Sequence, residues 1–234
     1  MGPRPQRRLE PIMRELPEGW MHTDDIRAQI REALEHEEAT RTFECNLINA
    51  WRQCLHGASP EVIEQRAKDT QTYLTAYITS TPGILDAVLA ASKVAGISDV
   101  VESVLHFAAG YFRKSVDFIP DHMGLVALVD DAYMAQRIMQ AICDNHKRQT
   151  GRQILSVDLT QANATVRALI GEPTATEMDE AISNVLHCRE MSDLAERITE
   201  FGDKLPVPIP ATYPAFDPGD ADHSIRLGAL GGAR

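Results

Sequence analysis

The chain has 234 residues, 44% hydrophobic and 24% charged, which suits one globular domain able to bury a sizeable core. Its formal charge of −11 lacks the basic footprint of nonspecific nucleic-acid binding, so no nucleic-acid partner is expected. Four cysteines (Cys45, Cys54, Cys143, Cys188) stand far apart without a C-x-x-C pair, which argues against a zinc site or a disulfide framework and predicts buried, reduced thiols.

Residues 1–22 carry Pro3, Pro5, Pro11 and Pro17 among arginines and glutamates, and read as an extended N-terminal arm whose Leu9, Ile12, Met13, Leu16 and Trp20 could dock on a neighbour. Arg7-Arg8 has no apolar run behind it, which predicts neither a secretory nor a twin-arginine signal and a cytoplasmic location. No charge-free apolar run reaches the ~20 residues that span a bilayer.

An all-α domain is expected over residues 23–202. Thr23-Asp24-Asp25 is a strong helix start, and periodic apolar residues continue from Ile26 to Leu55, with a break expected within the polar stretch Glu35 to Arg41. Ser59-Pro60-Glu61 combines a cap with proline at the first helical position, predicting a helix to about Thr79. Thr81-Pro82 repeats the device for a second helix that ends at Gly96. Ser98 opens the next, with Asp99 and Glu102 in its first turn and Arg113 and Lys114 near its end. Beyond an irregular link, a helix from about Leu125 to His146 places Leu125, Leu128, Val129, Ala132, Met139, Ile142 and Cys143 on one broad face. Asp158-Leu159-Thr160-Gln161 resembles a capping box, Gly171 closes that helix, and Thr174 to Glu177 start the last one. No stretch alternates with period two, so no sheet is expected. The sum is a bundle-like domain of about six to eight helices. Residues 203–234, rich in proline and small residues, read as a disordered or extended, solvated tail. Leu205 to Tyr213 is a weak polyproline-type signal within it.

The unusual stretch is the elbow between the two central helices: Asp117, Pro120, Asp121, His122 and Gly124, followed by Asp130 and Asp131. Pro120 biases Ile119 away from the helical region and Gly124 permits angles that other residues resist. On the helical wheel Asp130 falls outside the apolar arc and is expected in solvent, whereas Asp131 falls inside it and needs a partner. Asp117-Phe118-Ile119-Pro120-Asp121, then Gly124, then Asp130-Asp131, resembles the signature of the YkvA-like family of domains of unknown function over about residues 100–142. His122-Met123 stands where members of that family are usually apolar. The resemblance implies a small helical module, with no established reaction, catalytic residue or cofactor to carry over.

Other chemistry fails on spacing. His36-Glu37 begins like H-E-x-x-H, but Thr40 occupies the second histidine position; no histidine has Glu three residues before it; no Walker loop, G-x-S-x-G or G-x-G-x-x-G occurs. Asp117, Asp121, His122 and Asp131 could together hold a metal ion, although carboxylates at helix starts are more commonly caps. Three functions follow. The first is a non-catalytic module that binds another protein or itself, without a cofactor. The alternatives are a metal-dependent hydrolase or metal-binding protein using the elbow, and a peripheral membrane protein that touches a bilayer without spanning it.

Overall fold

The computed structural model describes residues 23–110, 112, 124–187, 213–218 and 225–227. The expectation of an all-α domain holds: the described residues form seven α-helices and no strand. In chain order these are α1 (Thr23–Thr40), α2 (Thr42–Cys54), α3 (Pro60–Ala95), α4 (Ser98–Gly110), α5 (Ala127–Thr150), α6 (Leu159–Ile170) and α7 (Thr174–Leu186), with a 3-10 turn over Gly124–Val126 ahead of α5.

The expected break within Glu35 to Arg41 lies at Arg41, which takes a left-handed conformation (φ 52°) between α1 and α2. No side chain of Arg41 caps α2. The carboxylate of Glu37, one turn back on α1, accepts the N–H groups of Phe43 (2.7 Å) and Glu44 (3.0 Å) and the amide of Gln71 on α3 (3.2 Å). The glutamate of the failed H-E-x-x-H motif is thus a cap for the following helix.

Residues 60–95 form one helix where two were expected. Ser59 caps it by accepting from the Val62 N–H, and Gly96 closes it at φ 75°. Pro82 sits inside, lacking the N–H that would continue the hydrogen-bond ladder. The hydroxyls just before it bond back to the preceding turn: Thr79 Oγ1 to the Thr75 carbonyl (2.8 Å), Ser80 Oγ to the Tyr77 carbonyl (2.8 Å) and Thr81 Oγ1 to the same carbonyl (3.2 Å). Ile84, Leu85 and Val88 beyond the proline remain buried in the same core as Tyr73, Leu74, Tyr77 and Ile78 before it. Tertiary burial on both sides of Pro82 outweighs the local breaker. α3 is long and apolar enough, by length and composition, to cross a membrane. In this fold Ile63, Ala67, Tyr73, Leu74, Tyr77, Ile78, Ile84, Leu85 and Val88 of this helix pack in the protein core.

α5 is the central helix, packed against α3, α4, α6 and α7. Five consecutive residues, Ala132, Tyr133, Met134, Ala135 and Gln136, are all buried, so the wheel argument does not apply to its first half: a stretch surrounded on every side has no solvent face. This reverses the expectation for the acidic pair. Asp130 is 2% exposed, whereas Asp131 is only partly buried. Asp158 caps α6 by accepting the Thr160 N–H (2.8 Å), as expected, and Gly171 ends that helix.

The reading of the C-terminal region as a solvated tail needs correction. Ile225 and Leu227 are fully buried, and Tyr213 and Phe216 pack on the core. At Gly171 a β-carbon would lie 2.8 Å from the Arg226 Cγ, so the chain there passes directly over the end of α6. The thiols also differ from expectation: Cys45 is exposed, while Cys54 and Cys143 are only partly buried; Cys188 lies outside the described residues.

Candidate functional site

The elbow can be followed only in part. Asp117, Pro120, Asp121 and His122 lie outside the described residues. Gly124 adopts φ +58°, and a β-carbon there would stand 3.1 Å from His36 Cδ2, so the turn lies against α1. Gln29 on α1 donates to the Phe112 carbonyl (2.9 Å), holding the other end of the link. Asp130 Oδ1 accepts the Asp131 N–H at 3.1 Å, in the first turn of α5. Among the described residues no three His, Cys, Asp or Glu side chains come together as a metal ion would require.

A cleft of about 60 Å³ opens between the end of α5 and the start of α6, lined by Gln140, Cys143, Asp144, Lys147, Asp158 and Thr160. It has room for a few waters and is far below the roughly 300 Å³ at which ordinary ligand pockets begin. Burial, with Asp144 adding, pushes the Cys143 thiol up to about 12, which keeps it protonated and a poor nucleophile near neutrality.

Among the described residues a dense polar arrangement lies inside the contact of α3, α5 and α6. The Gln136 amide group donates to the Tyr77 carbonyl (2.9 Å) and the Thr81 hydroxyl (3.0 Å). The Tyr77 hydroxyl donates to Asn163 Oδ1 (2.5 Å), and the Asn163 amide donates to Gln140 Oε1 (2.7 Å), which also accepts from Arg137 (2.9 Å). Burial drives the Tyr77 phenol well above its ordinary value. Beside this ladder, Asp179 of α7 accepts from Tyr133 (2.8 Å) and Arg167 Nε (2.7 Å), with Arg137 Nε 3.7 Å away, so one carboxylate ties α5, α6 and α7. Glu172 accepts from Arg167 (2.8 Å) and Thr176 (2.7 Å), which holds its carboxyl below the usual value, Thr176 contributing most.

At its outer edge the ladder meets the C-terminal segment. Tyr213 donates its hydroxyl to Gln136 Oε1 (2.9 Å) and accepts from Ser80 Oγ (3.4 Å). Phe216 stacks on Tyr73, with centroids 5.1 Å apart and planes at 26°, and the Tyr213 ring lies 6.0 Å from Tyr77 and 6.4 Å from Tyr73. Arg66, whose guanidinium lies 5.8 Å from the centroid of the Trp51 ring, donates to the Asp217 carbonyl (3.1 Å). The segment Tyr213–Pro218 has no regular secondary structure and is held by side chains of α3 and α5. The polyproline-type signal expected over Leu205 to Tyr213 reaches only the first residue of this segment. Sequence reasoning missed Arg66, Gln136 and Phe216. The available signal was the spacing Tyr213-Pro214-Ala215-Phe216-Asp217-Pro218, two aromatic side chains between prolines in a region otherwise poor in bulk.

No family model, curated protein or solved structure matches the chain, and the likeness to the YkvA-like signature rests on the residues quoted above.

Proposed function

We propose that the chain is a non-catalytic helical module that acts by binding another protein. The observation that carries this reading is the α3–α5 groove, where side chains hold a proline-containing segment by contacts to its two aromatic rings and by bonds to a hydroxyl and a carbonyl. Aromatic-lined grooves that take extended proline-containing segments are a recurring means of protein recognition. The reactive groups nearby support the same reading, because Glu37 and Asp158 cap helices and Asp179 joins three of them.

Affinity purification of the wild-type chain from its own cells after mild crosslinking, beside an Arg66→Ala variant, tests this. A specific partner or a self-associated form is expected, with a yield that changes in the variant. Absence of both contradicts the reading. The alternative of a metal-dependent hydrolase at Asp117, Asp121, His122 and Asp131 requires a divalent metal to raise the thermal midpoint of the wild type but not of an Asp121→Asn/Asp131→Asn variant. A binding module shows no such difference.

A further inference from the structure

The groove has one polar position whose chemistry is fixed by its surroundings. Gln136 directs its Nε2 to the Tyr77 carbonyl, which can only accept, so its Oε1 is left facing the occupant as an acceptor. An occupant must therefore supply a hydrogen-bond donor there, as the tyrosine hydroxyl does; a phenylalanine ring of the same size would leave the acceptor buried and unsatisfied. Next to it lie the Tyr73 face, which takes a second aromatic ring, and the Arg66 guanidinium, which takes a backbone carbonyl. Among the described residues the only large hydrophobic side chains that stand exposed are Val62 and Val94, near opposite ends of α3. They form no patch, so the aromatic surface under Tyr213 and Phe216 is the apolar area that displacement of one segment would open.

The segment is held shallowly and its continuation deeply. Tyr213, Pro214, Phe216 and Pro218 are partly buried and Ala215 and Asp217 exposed, whereas Ile225 and Leu227 are fully buried after only six intervening residues. Lifting Tyr213–Pro218 leaves the deeper anchor in place.

We propose that the groove formed by Arg66, Tyr73, Tyr77, Ser80 and Gln136 receives extended Tyr-Pro-x-Phe segments of a partner protein, and that Tyr213–Pro218 is its built-in competitor. The proposal rests on the binding-module reading and names the ligand of that site. An intramolecular competitor tethered at short range acts at an effective concentration in the millimolar range, so an outside peptide gains access only when its own affinity is tighter than that or the segment is weakened. Ser80 and Gln136 then set the preference for tyrosine, and Tyr73 and Arg66 fix the direction and register of the chain.

The test uses the full-length protein with Tyr213→Ala/Phe216→Ala and a fluorescein-labelled peptide with the sequence of residues 209–220, read by fluorescence polarisation. The double variant is expected to bind at least about tenfold more tightly than the wild type, and a peptide with phenylalanine in place of its tyrosine at least about fivefold more weakly. Tyr213→Phe, which keeps the ring and the packing, serves where the double variant does not fold; a rise of about threefold is expected from it. A folded variant that binds no better than the wild type overturns the proposal, as does equal binding of the phenylalanine peptide. A concentration-dependent dimer of the wild type that the double variant lacks also overturns it, because the segment then exchanges between two copies. A partner recovered from cells with no peptide binding rejects this groove and leaves the module reading standing; peptide binding without any cellular partner does the reverse.

Discussion

The hydroxyl of Tyr213 donates to Gln136 Oε1 at 2.9 Å, joining a residue near the C-terminal end to the middle of the central helix. Gln136 in turn donates to the Tyr77 carbonyl, one turn ahead of Pro82, so one side chain braces the kink-prone part of α3 and receives the C-terminal segment. Disturbing either role is expected to be felt in the other.

The Tyr77–Asn163 bond is buried and lies at the centre of the ladder. Tyr77→Phe leaves Asn163 Oδ1 without its donor and is expected to cost about 1–3 kcal/mol in urea unfolding. Asn163→Ala costs more, since it also frees Gln140 and leaves a void. The double variant should fall short of the sum by at least about 0.5 kcal/mol, as expected for side chains in one network. Strict additivity would show that the ladder is a set of independent contacts.

Glu37→Ala removes the carboxylate that satisfies two free N–H groups of α2 and is expected to destabilise the protein by about 1–2 kcal/mol. Thermal melting and amide exchange at Phe43 and Glu44 check this, with faster exchange predicted at both. Unchanged exchange there would assign the cost to lost packing.

Gly124→Ala forces a β-carbon into the left-handed region and toward His36, and about 1–2 kcal/mol of stability should be lost from the backbone alone. Repeating it in a His36→Ala background separates the two causes. The steric part disappears and the conformational part remains, so recovery is expected to be partial.

Burial raises the phenol of Tyr213 to about 12, and Tyr73, Tyr77 and Tyr133 are shifted upward as well, burial leading in each case. An unfolded tyrosine titrates near 10. Below that pH both states are protonated and the tyrosines make stability independent of pH; between about 10 and 12 the unfolded chain loses protons that the folded chain keeps, so stability falls as pH rises. Urea midpoints measured from pH 9 to 12 should decline, and Tyr213→Phe should make the decline shallower. A slope unchanged by that substitution would show that Tyr213 ionises freely.

Much of the helical frame was legible locally. Ser59, Asp158, Gly96 and Gly171 act within a few residues of themselves, and the structure uses each as expected. Three features were not local. Pro82 breaks helices in isolation, yet the core on both sides of it and the hydroxyls of residues 79–81 carry the helix through. Asp130 reads as a solvent residue on a wheel, which has no knowledge of how many neighbours surround α5. Tyr213, Phe216, Ile225 and Leu227 sit in a region of low apolar content, where composition averages hide a few side chains that match distant partners. Of the candidate elbow, the structure places Gly124, Asp130 and Asp131, and it sets His36 beside Gly124.

Hydrogen–deuterium exchange on the full-length Tyr213→Ala/Phe216→Ala variant, with and without the peptide of residues 209–220, tests the interaction groove most directly. Exchange should rise around residues 73–81 of α3 and 133–140 of α5 relative to the wild type, and fall again when the peptide is added. Exchange that the peptide leaves unchanged in both helices, in a variant that remains folded, would contradict a peptide-binding groove at that surface.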